Sequence, residues 1–314
     1  MRRNTPKWLV ERAGSVAIPL AKMGGGASGP RGICCAKGFD RLSLSGVWFM
    51  PQNTTPAQPR IGSGVVEALA LRQKQAMTKL TALVTGTSRG IGAAIAAQLR
   101  ARGVLVIGHA SKAYDADTIG ADLADPAAPS AIWEQALERS ATGRIDVLVN
   151  NAGLFAANPI TLSDIAWLDN WEDTLRINLT AAAELSRYAV RHWLDSGGGR
   201  VVHVASRAGY RGDSPDHWHY AAAKGGMIAM HKTIARQYAA QGIMSYAVCP
   251  GFTDTAMAGD YLSSRGGAGL LADIPLGRVA TPDEIATITT FCALDAPESM
   301  TGTVIDANGA SYVR

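Results

Sequence analysis

The sequence has 314 residues, of which 47% are hydrophobic and 18% are charged, so it is long enough for one large domain or two small ones. Its net charge of +4 is uneven, because residues 1–76 carry 11 basic and 3 acidic side chains (+8), whereas residues 77–314 carry 19 and 23 (−4). A mildly acidic globular part, together with the lack of any apolar run of about 18 residues, argues against nucleic acid and membranes as partners.

The four cysteines do not form a metal-binding pattern. Cys34 and Cys35 are adjacent, Cys249 and Cys292 are far apart, and the sequence contains neither a C-x-x-C nor an H-x-x-x-H pair. Reduced thiols in a cytosolic protein are the default interpretation of such a set. We therefore expect a cytoplasmic protein without a bound metal.

The first 76 residues show little sign of a folded unit. Segments 23–30 and 51–59 are rich in residues that break helices and strands, and the short apolar pieces have no sustained period. We expect a disordered or spurious extension, followed by a single domain over residues 77–314. Two alternatives stay open, namely an organelle transit peptide, which an acid-poor start favours, and a natural start at Met77.

From residue 80 onward, strand and helix patterns alternate along the chain. Short runs of Val, Leu and Ile predict strands at 80–85, 103–108, 119–123, 145–150, 200–205, 243–248 and 303–306. Helical periodicity predicts helices at 92–102, 130–142, 165–195, 219–241 and 282–294. This alternation predicts an α/β fold, a Rossmann-type doubly wound parallel sheet of about seven strands with helices on both faces.

A glycine-rich turn at residues 85–92 joins the first strand to the first helix. Gly86, Gly90 and Gly92 follow the pattern G-x-x-x-G-x-G. Glycine allows a tight turn and lets the backbone approach a pyrophosphate, which then lies at the positive end of the helix. In this position the turn predicts a dinucleotide site, with a purely structural turn as the alternative.

Polar residues follow the carboxyl ends of later strands, where open α/β sheets bind ligands. Asn150 ends the fourth strand, Ser206 follows the fifth, and the Pro250-Gly251 pair follows the sixth. Asn178 lies within the long helix, where asparagine is an indifferent helix former, so a functional or polar-packing role is expected.

Tyr220 and Lys224 lie four residues apart at the start of a predicted helix, and therefore on one face of it. A cation about 4 Å from a phenol at an effective dielectric constant of about 20 contributes roughly 4 kcal/mol, which lowers the pKa of the phenol by about three units. That shift would bring Tyr220 into the range where a general acid–base works best. By itself the spacing is weak evidence, because an ordinary amphipathic helix can also carry it.

Together these motifs resemble the short-chain dehydrogenase/reductase family over residues 78–314. Within the family the chain is loosely similar to 3-oxoacyl-carrier-protein reductases and to sugar or alcohol dehydrogenases. The resemblance implies an NAD(P)-dependent oxidoreductase that transfers a hydride between a nicotinamide and a carbonyl or secondary alcohol, and that forms a homodimer or homotetramer through its long helices. The motifs that carry it are 85–92, Asp122-Leu123, 150–153, Asn178, Ser206, Tyr220-x-x-x-Lys224 and Pro250-Gly251.

The resemblance also implies a role for each matching residue. Tyr220 is the expected general acid–base, and Lys224 is expected to lower its pKa and to bond the nicotinamide ribose. Ser206 is expected to orient the substrate oxygen, and Asn178 to position a water that links Lys224 to solvent. Besides Tyr220 and Lys224, the expected cofactor contacts are Gly86, Ser88, Arg89, Gly90, Ile91, Gly92, Ser111, Asp122, Leu123, Asn150, Ala152, Gly153, Pro250, Gly251, Thr253 and Thr255.

The end of the second strand favours NADP(H) over NAD(H). Enzymes that prefer NAD usually place a carboxylate there, on the ribose 2′-hydroxyl. In this sequence the nearest acid is Asp115, several residues further on. Arg89, Ser111 and Lys112 are instead suited to a 2′-phosphate, because cationic and hydroxyl donors bind phosphate and a carboxylate repels it.

The substrate is a small carbonyl or alcohol compound that the sequence does not identify. Expected contacts are Leu154, Phe155, 208–211, His217, Trp218 and the glycine- and serine-rich segment 257–271, which is a candidate lid. Arg211, His217 and Arg265 can bind an anionic group or can be solvated. A non-catalytic dinucleotide-binding sensor is the rival hypothesis, and it is disfavoured because both Tyr220 and Lys224 are present.

Overall fold

A computed structural model of the protein describes residues 80–255 and 267–314. The predicted N-terminal extension and most of the candidate lid lie outside these residues. None of the described helices is long and apolar enough to cross a membrane.

The core of the fold is one parallel sheet of seven strands in the order β3-β2-β1-β4-β5-β6-β7. The order reverses between β1 and β4, and in such sheets ligands bind beyond the carboxyl ends of the strands at the reversal. This topology confirms the predicted fold. The strands are β1 (Thr81–Thr85), β2 (Leu105–Ala110), β3 (Thr118–Gly120), β4 (Val147–Asn150), β5 (Gly199–Val204), β6 (Ile243–Pro250) and β7 (Val304–Ala307).

Helices cover both faces of the sheet. Two of them, α1 and α8, pack on one face, and α2, α4 and α6 pack on the other. The described helices are α1 (Gly90–Ala101), α2 (Ala128–Arg139), α3 (Asp164–Leu175), α4 (Ala181–Ser196), α5 (Ala208–Arg211), α6 (Trp218–Tyr238), α7 (Gly267–Ala272) and α8 (Pro282–Leu294).

Neighbouring residues of a strand contribute to opposite faces of the core. In β1, Val84 packs in a cluster with Leu99 of α1 and Ile285 of α8, whereas Leu83 packs in a cluster with Trp193 of α4. Because both faces are buried, every position of β1 must be buried, and this explains its continuous run of Thr, Ala, Leu and Val.

Several strand boundaries differ from the predicted ones, and two of these differences have clear local reasons. Strand β2 begins at Leu105 rather than 103, because Gly103 adopts a φ of +81° and donates its backbone N–H to the Arg100 carbonyl to close α1. Strand β3 ends at Gly120 rather than 123, because the Asp122 carboxylate accepts from the backbone N–H of Ala124 and starts a turn.

The predicted long helix 165–195 is interrupted in its middle. A π-helical segment, Arg176–Thr180, separates α3 from α4, and Asn178 lies at its centre. Such insertions are rare and often mark functional sites. The short helices α5 and α7 were not predicted, because four and six residues are too few to establish a helical period.

Candidate active site

A cleft with a cavity of about 440 Å³ lies at the carboxyl ends of the strands. Its size is within the range of small-molecule and cofactor sites. The structure brings most of the predicted site residues to its walls: Gly86, Ser88, Arg89, Gly90, Ile91, Gly92, Ser111, Asp122, Leu123, Ala152, Gly153, Ser206, Tyr220, Lys224, Pro250, Gly251, Thr253 and Thr255.

The glycine turn presents backbone rather than side chains to the cleft. Gly86 has a φ of +74°, and a Cβ there would lie 2.9 Å from the Cα of Ala152. A Cβ on Gly92 would overlap the Gly86 carbonyl oxygen. At the start of α1, Arg89 makes no side-chain capping bond and the first turn contains no acidic residue. The first N–H groups and the positive end of the helix dipole are therefore suited to a phosphate ligand.

The segment after β4 holds this turn in place. The Thr85 hydroxyl accepts from the backbone N–H groups of Asn151 and Ala152, at 3.0 Å each. The Asn151 side-chain amide donates to the carbonyl oxygens of Thr85 (2.8 Å) and Gly86 (3.2 Å). These four bonds fix the first and fourth strand ends against each other, and they give Asn151 a bracing role.

Ser206, Tyr220 and Lys224 meet at the end of β5. Ser206 follows the strand by two residues, is 9% exposed, and forms a side-chain hydrogen bond with Tyr220. Lys224 is 3% exposed, and its Nζ donates to the carbonyl oxygen of Val204 at 2.8 Å. The ring edge of Phe155 packs against Tyr220 with the ring centres 4.8 Å apart. Two hydroxyls and an ammonium group thus converge on one wall of the cleft.

Burial changes the pKa values of this pair in a direction that the spacing alone does not predict. The pKa of Tyr220 is raised to about 12 by burial, although the bond to Ser206 lowers it in part. Burial also lowers the pKa of Lys224 to about 8. The ammonium lies 5.7 Å from the centre of the phenol ring and is bonded to Val204. Burial therefore raises the pKa of Tyr220, which is the opposite direction to the lowering expected from Lys224.

Two predicted site residues do not line the cleft with their side chains. Asn150 lies behind it, where its amide donates to Ser186 Oγ at 3.0 Å and contacts His203 Nδ1 at 3.3 Å. Asn178 is fully buried, and it accepts from the backbone N–H of Leu154 (2.6 Å) and donates to the Leu154 carbonyl oxygen (2.7 Å). Asn178 therefore holds the wall that carries Leu154, and the cofactor contact expected of Asn150 stays a prediction.

At the far end of the cleft, the connection after β2 carries no carboxylate directed at the ligand space. The Asp115 carboxylate accepts from the Thr118 hydroxyl, and the Asp115 backbone carbonyl accepts from the Thr118 N–H. The Asp117 carboxylate lies 3.9 Å from the Arg100 guanidinium. Ser111 lines the cleft, as do Arg89 and Ser88 of the glycine turn. His109 is buried there, which lowers its pKa and favours the neutral imidazole.

The substrate side combines apolar walls with charged residues. Leu154 and Phe155 line the cleft, and the Phe155 ring stacks on His217 with the ring centres 4.0 Å apart. Arg211 lies outside the lining, is exposed, and forms an ion pair with the Asp273 carboxylate at 2.9 Å. The predicted contact Arg265 lies outside the described residues.

A family profile described as short chain dehydrogenase matches residues 80–265. The chain belongs to the short-chain dehydrogenase family. As a family member it is an NAD(P)-dependent oxidoreductase that interconverts a carbonyl and an alcohol.

Two sequence relatives of this short-chain dehydrogenase carry the same name. The 3-oxoacyl-[acyl-carrier-protein] reductase of Salmonella typhimurium is 38% identical over 244 residues, covering 74% of this chain and 97% of that protein. The enzyme of the same name from Escherichia coli K12 is 37% identical with the same coverage.

Solved structures of similar fold have other names. One is a putative NAD(P)-dependent gluconate 5-dehydrogenase from Beutenbergia cavernae with bound NADP, at 32% identity and a TM-score of 0.67 over 74% of this chain and 96% of that one. Another is the aldohexose dehydrogenase of Thermoplasma acidophilum, at 26% identity and a TM-score of 0.68 over 75% of this chain and 95% of that one.

Some residues on the cleft of this dehydrogenase were not predicted as site residues. His109 and Ala110 end β2 and directly precede the predicted contact Ser111. Their place next to Ser111 in the sequence could have indicated that they line the cleft. Arg207 follows Ser206 and lies with its guanidinium 4.8 Å from the Phe252 ring centre. No sequence pattern indicates that pairing, because residues 207 and 252 come from different strand ends.

Proposed function

We propose that this dehydrogenase uses NADP(H) to reduce the 3-oxo group of an acyl thioester to a 3-hydroxyl. The observation that carries the proposal is the convergence of Ser206, Tyr220 and Lys224 on the cleft wall at the end of β5. The name shared by relatives at 37–38% identity supports the substrate class.

In the reduction, the substrate oxygen lies between Ser206 and Tyr220. Bound NADPH supplies the hydride to the carbonyl carbon. Ser206 donates a hydrogen bond to the substrate oxygen, and Tyr220 transfers its hydroxyl proton to that oxygen as the C–O bond becomes single. Lys224 offsets the cost of the phenolate that remains, since a positive charge in a buried site favours a nearby anion. Its ammonium would also hold the nicotinamide ribose when the cofactor is bound, as the family motif implies.

The residues at the glycine turn fit a nicotinamide dinucleotide phosphate. Gly86 and Gly92 form a cradle for a pyrophosphate, because a Cβ at either position would collide with Ala152 or with the Gly86 carbonyl oxygen and would displace the turn. Arg89, Ser88 and Ser111 form a donor set for a 2′-phosphate, and the carboxylate of Asp115 is bonded to Thr118 instead. These features support NADP(H) over NAD(H).

A sugar or small-alcohol dehydrogenase is the second candidate. The solved structures of a gluconate 5-dehydrogenase and an aldohexose dehydrogenase, at 32% and 26% identity, favour it. The apolar walls at Leu154 and Phe155 favour an acyl chain over a polyhydroxylated sugar.

We also propose a cytoplasmic homodimer or homotetramer whose subunits pair through α3, α4 and α6. Ile165 and Leu168 on α3 and Trp218 on α6 support this, because they are exposed large apolar side chains on those helices. We also propose that residues 77–314 form a single domain, whereas the expectation for residues 1–76 lies outside the described residues.

The test is a substrate and cofactor screen of the protein, with a conservative active-site variant beside it. Acetoacetyl-coenzyme A and longer 3-oxoacyl thioesters are offered with NADPH or NADH, and gluconate and glucose with NADP⁺ or NAD⁺, while nicotinamide absorbance is followed. We expect the highest kcat/KM for a thioester with NADPH, and a fall of about 10²–10⁴-fold in Tyr220→Phe. Full turnover by Tyr220→Phe would show that the mechanism is wrong, and a preference for a sugar would favour the second candidate.

A further inference from the structure

The connection between β2 and β3 is short for two neighbouring parallel strands. β2 ends at Ala110 and β3 begins at Thr118, so seven residues make the connection, and none of them is helical. Parallel strands usually need a crossover of about a dozen residues or more. Residues 111–117 must therefore stay close to the strand ends, beside the part of the cleft lined by Ser111.

Close packing and hydrogen bonds hold this connection at the strand ends. The backbone N–H of Gly108 donates to the Asp117 carbonyl oxygen at 2.9 Å. A Cβ on Gly120 would lie 2.6 Å from the backbone nitrogen of Ala113, so only glycine leaves space for the chain there. The Asp115 carboxylate accepts from the Thr118 hydroxyl. The connection thus has one well-defined path.

Tyr114 reaches from this connection back to the glycine turn. Its hydroxyl donates to Thr87, with the carbonyl oxygen at 3.1 Å and the side-chain oxygen at 3.0 Å. Thr87 is buried, and its own hydroxyl and backbone N–H donate to the His109 carbonyl oxygen. Because Tyr114 is 50% exposed, burial of its ring contributes little, and the hydroxyl contact is its main interaction.

The two ends of this contact flank the residues that would receive a 2′-phosphate. Thr87 directly precedes Ser88 and Arg89, and Tyr114 lies three residues after Ser111. We propose that Tyr114 is a positioning residue that fixes Ser111 relative to Ser88 and Arg89, so that their donors face one phosphate. Such preorganisation increases affinity because the donors need not be ordered on binding. This inference rests on the proposed NADP(H) preference.

The experiment compares wild type with Tyr114→Phe, which removes the hydroxyl and keeps the ring. The probes are adenosine 2′,5′-bisphosphate, which carries the 2′-phosphate, and adenosine 5′-monophosphate, which lacks it. In Tyr114→Phe we expect Kd for the bisphosphate to rise about three- to tenfold, which is the effect of one hydrogen bond. Kd for the monophosphate should rise by less than about twofold. KM for NADPH should rise by the same factor while kcat and the unfolding temperature stay unchanged. Tyr238→Phe, at the end of α6, is the matched control and should match wild type in every measurement.

The acceptor side provides an independent check. Thr87→Val removes the side-chain oxygen that Tyr114 reaches, and in a double-mutant cycle its effect on bisphosphate affinity should be less than additive with Tyr114→Phe. Equal loss of both probes in Tyr114→Phe, or no loss, would overturn the positioning role while leaving the NADP(H) preference intact. If wild type does not discriminate between the probes, the cofactor preference itself is wrong, and this role falls with it.

Discussion

Lys224 Nζ donates to the Val204 carbonyl oxygen across 2.8 Å, two residues before Ser206. This bond ties the second turn of α6 to the end of β5, so one contact sets how the lysine, Tyr220 and Ser206 face each other. The ammonium is almost fully buried, which lowers its pKa to about 8. The charge state of Lys224 therefore changes within an accessible pH range.

The first prediction concerns the pH dependence of reduction. Below pH 8 Lys224 is protonated and can stabilise the Tyr220 phenolate, and above it the charge is lost, because its pKa lies below the ordinary 10.5. Tyr220 itself keeps its proton over this range, since its pKa is about 12. We expect kcat/KM for carbonyl reduction to be level up to about pH 7 and to fall as the pH rises through about 8, in initial-rate measurements with NADPH.

Lys224→Arg distinguishes this explanation from general alkaline inactivation. A guanidinium stays charged far above pH 8, although its shape differs and the rate should drop at every pH. The alkaline fall should then move above about pH 9. A fall at the same pH in wild type and Lys224→Arg would contradict the assignment to Lys224.

The second prediction concerns the glycine cradle. Gly92→Ala places a Cβ against the Gly86 carbonyl oxygen. Because that oxygen belongs to the backbone, it cannot rotate away as a flexible side chain could. We expect NADPH binding, measured by fluorescence titration, to weaken by at least about 100-fold, since misplacing the turn by about 1 Å has effects of that order. Ala97→Gly, on the exposed face of the same helix, is the control. Ala97→Gly lowers the free energy of unfolding by about 0.5–1 kcal/mol but leaves the glycine turn in place. The affinity of this variant for NADPH should therefore equal that of wild type.

The positions of Ser206, Tyr220 and Lys224 could be predicted because they depend on local rules. A four-residue spacing puts two side chains on one helix face, and parallel strands bring their carboxyl ends to one edge. The direction in which the Tyr220 pKa shifts could not be predicted from the sequence, because it depends on how deeply the tertiary structure buries the phenol. Asn150 and Asn151 could not be distinguished either. Their side chains point to opposite sides, and only the position of α4 decides which side is the cleft.

The third prediction concerns Asn178, which forms two hydrogen bonds with the Leu154 backbone. Asn178→Ala leaves a buried N–H and C=O without these partners, which costs about 1–3 kcal/mol. The cleft wall at Leu154 and Phe155 should also lose its position next to Tyr220. We expect a lower free energy of unfolding in urea, and a KM for the carbonyl substrate that rises more than the Kd for NADPH.

Asn170→Ala provides the matched control for Asn178. Asn170 lies on α3, is exposed, and makes a single bond to the Asn158 side chain. Its loss should change stability by less than about 1 kcal/mol and leave KM unchanged. If both variants behaved alike, the effect of Asn178→Ala would reflect general loosening of the helix rather than the Leu154 contact.

The fourth prediction concerns two buried histidines below the site. Burial lowers the pKa of His203 to about 3 and that of His231 to about 4, whereas both titrate near 6.5 when the chain is unfolded. Their neutral forms make hydrogen-bonding contacts, His203 Nδ1 with the Asn150 amide and His231 Nδ1 with Ser245 Oγ. As the pH falls below 6.5, the unfolded chain binds protons that the folded protein does not, so stability is lost from about pH 6.5 downward.

This loss of stability can be measured as the slope of the free energy of unfolding against pH. Two protons taken up only on unfolding reduce the free energy of unfolding by about 2.7 kcal/mol per pH unit between about pH 6 and 4. His203→Gln keeps an amide that can face Asn150 but takes up no proton, so its slope should be smaller than that of wild type by about one proton, or about 1.4 kcal/mol per pH unit. Urea unfolding at several pH values between 4 and 8 provides both slopes. Parallel curves for wild type and His203→Gln would show that His203 is already protonated in the folded protein, or that it does not regain its ordinary pKa on unfolding.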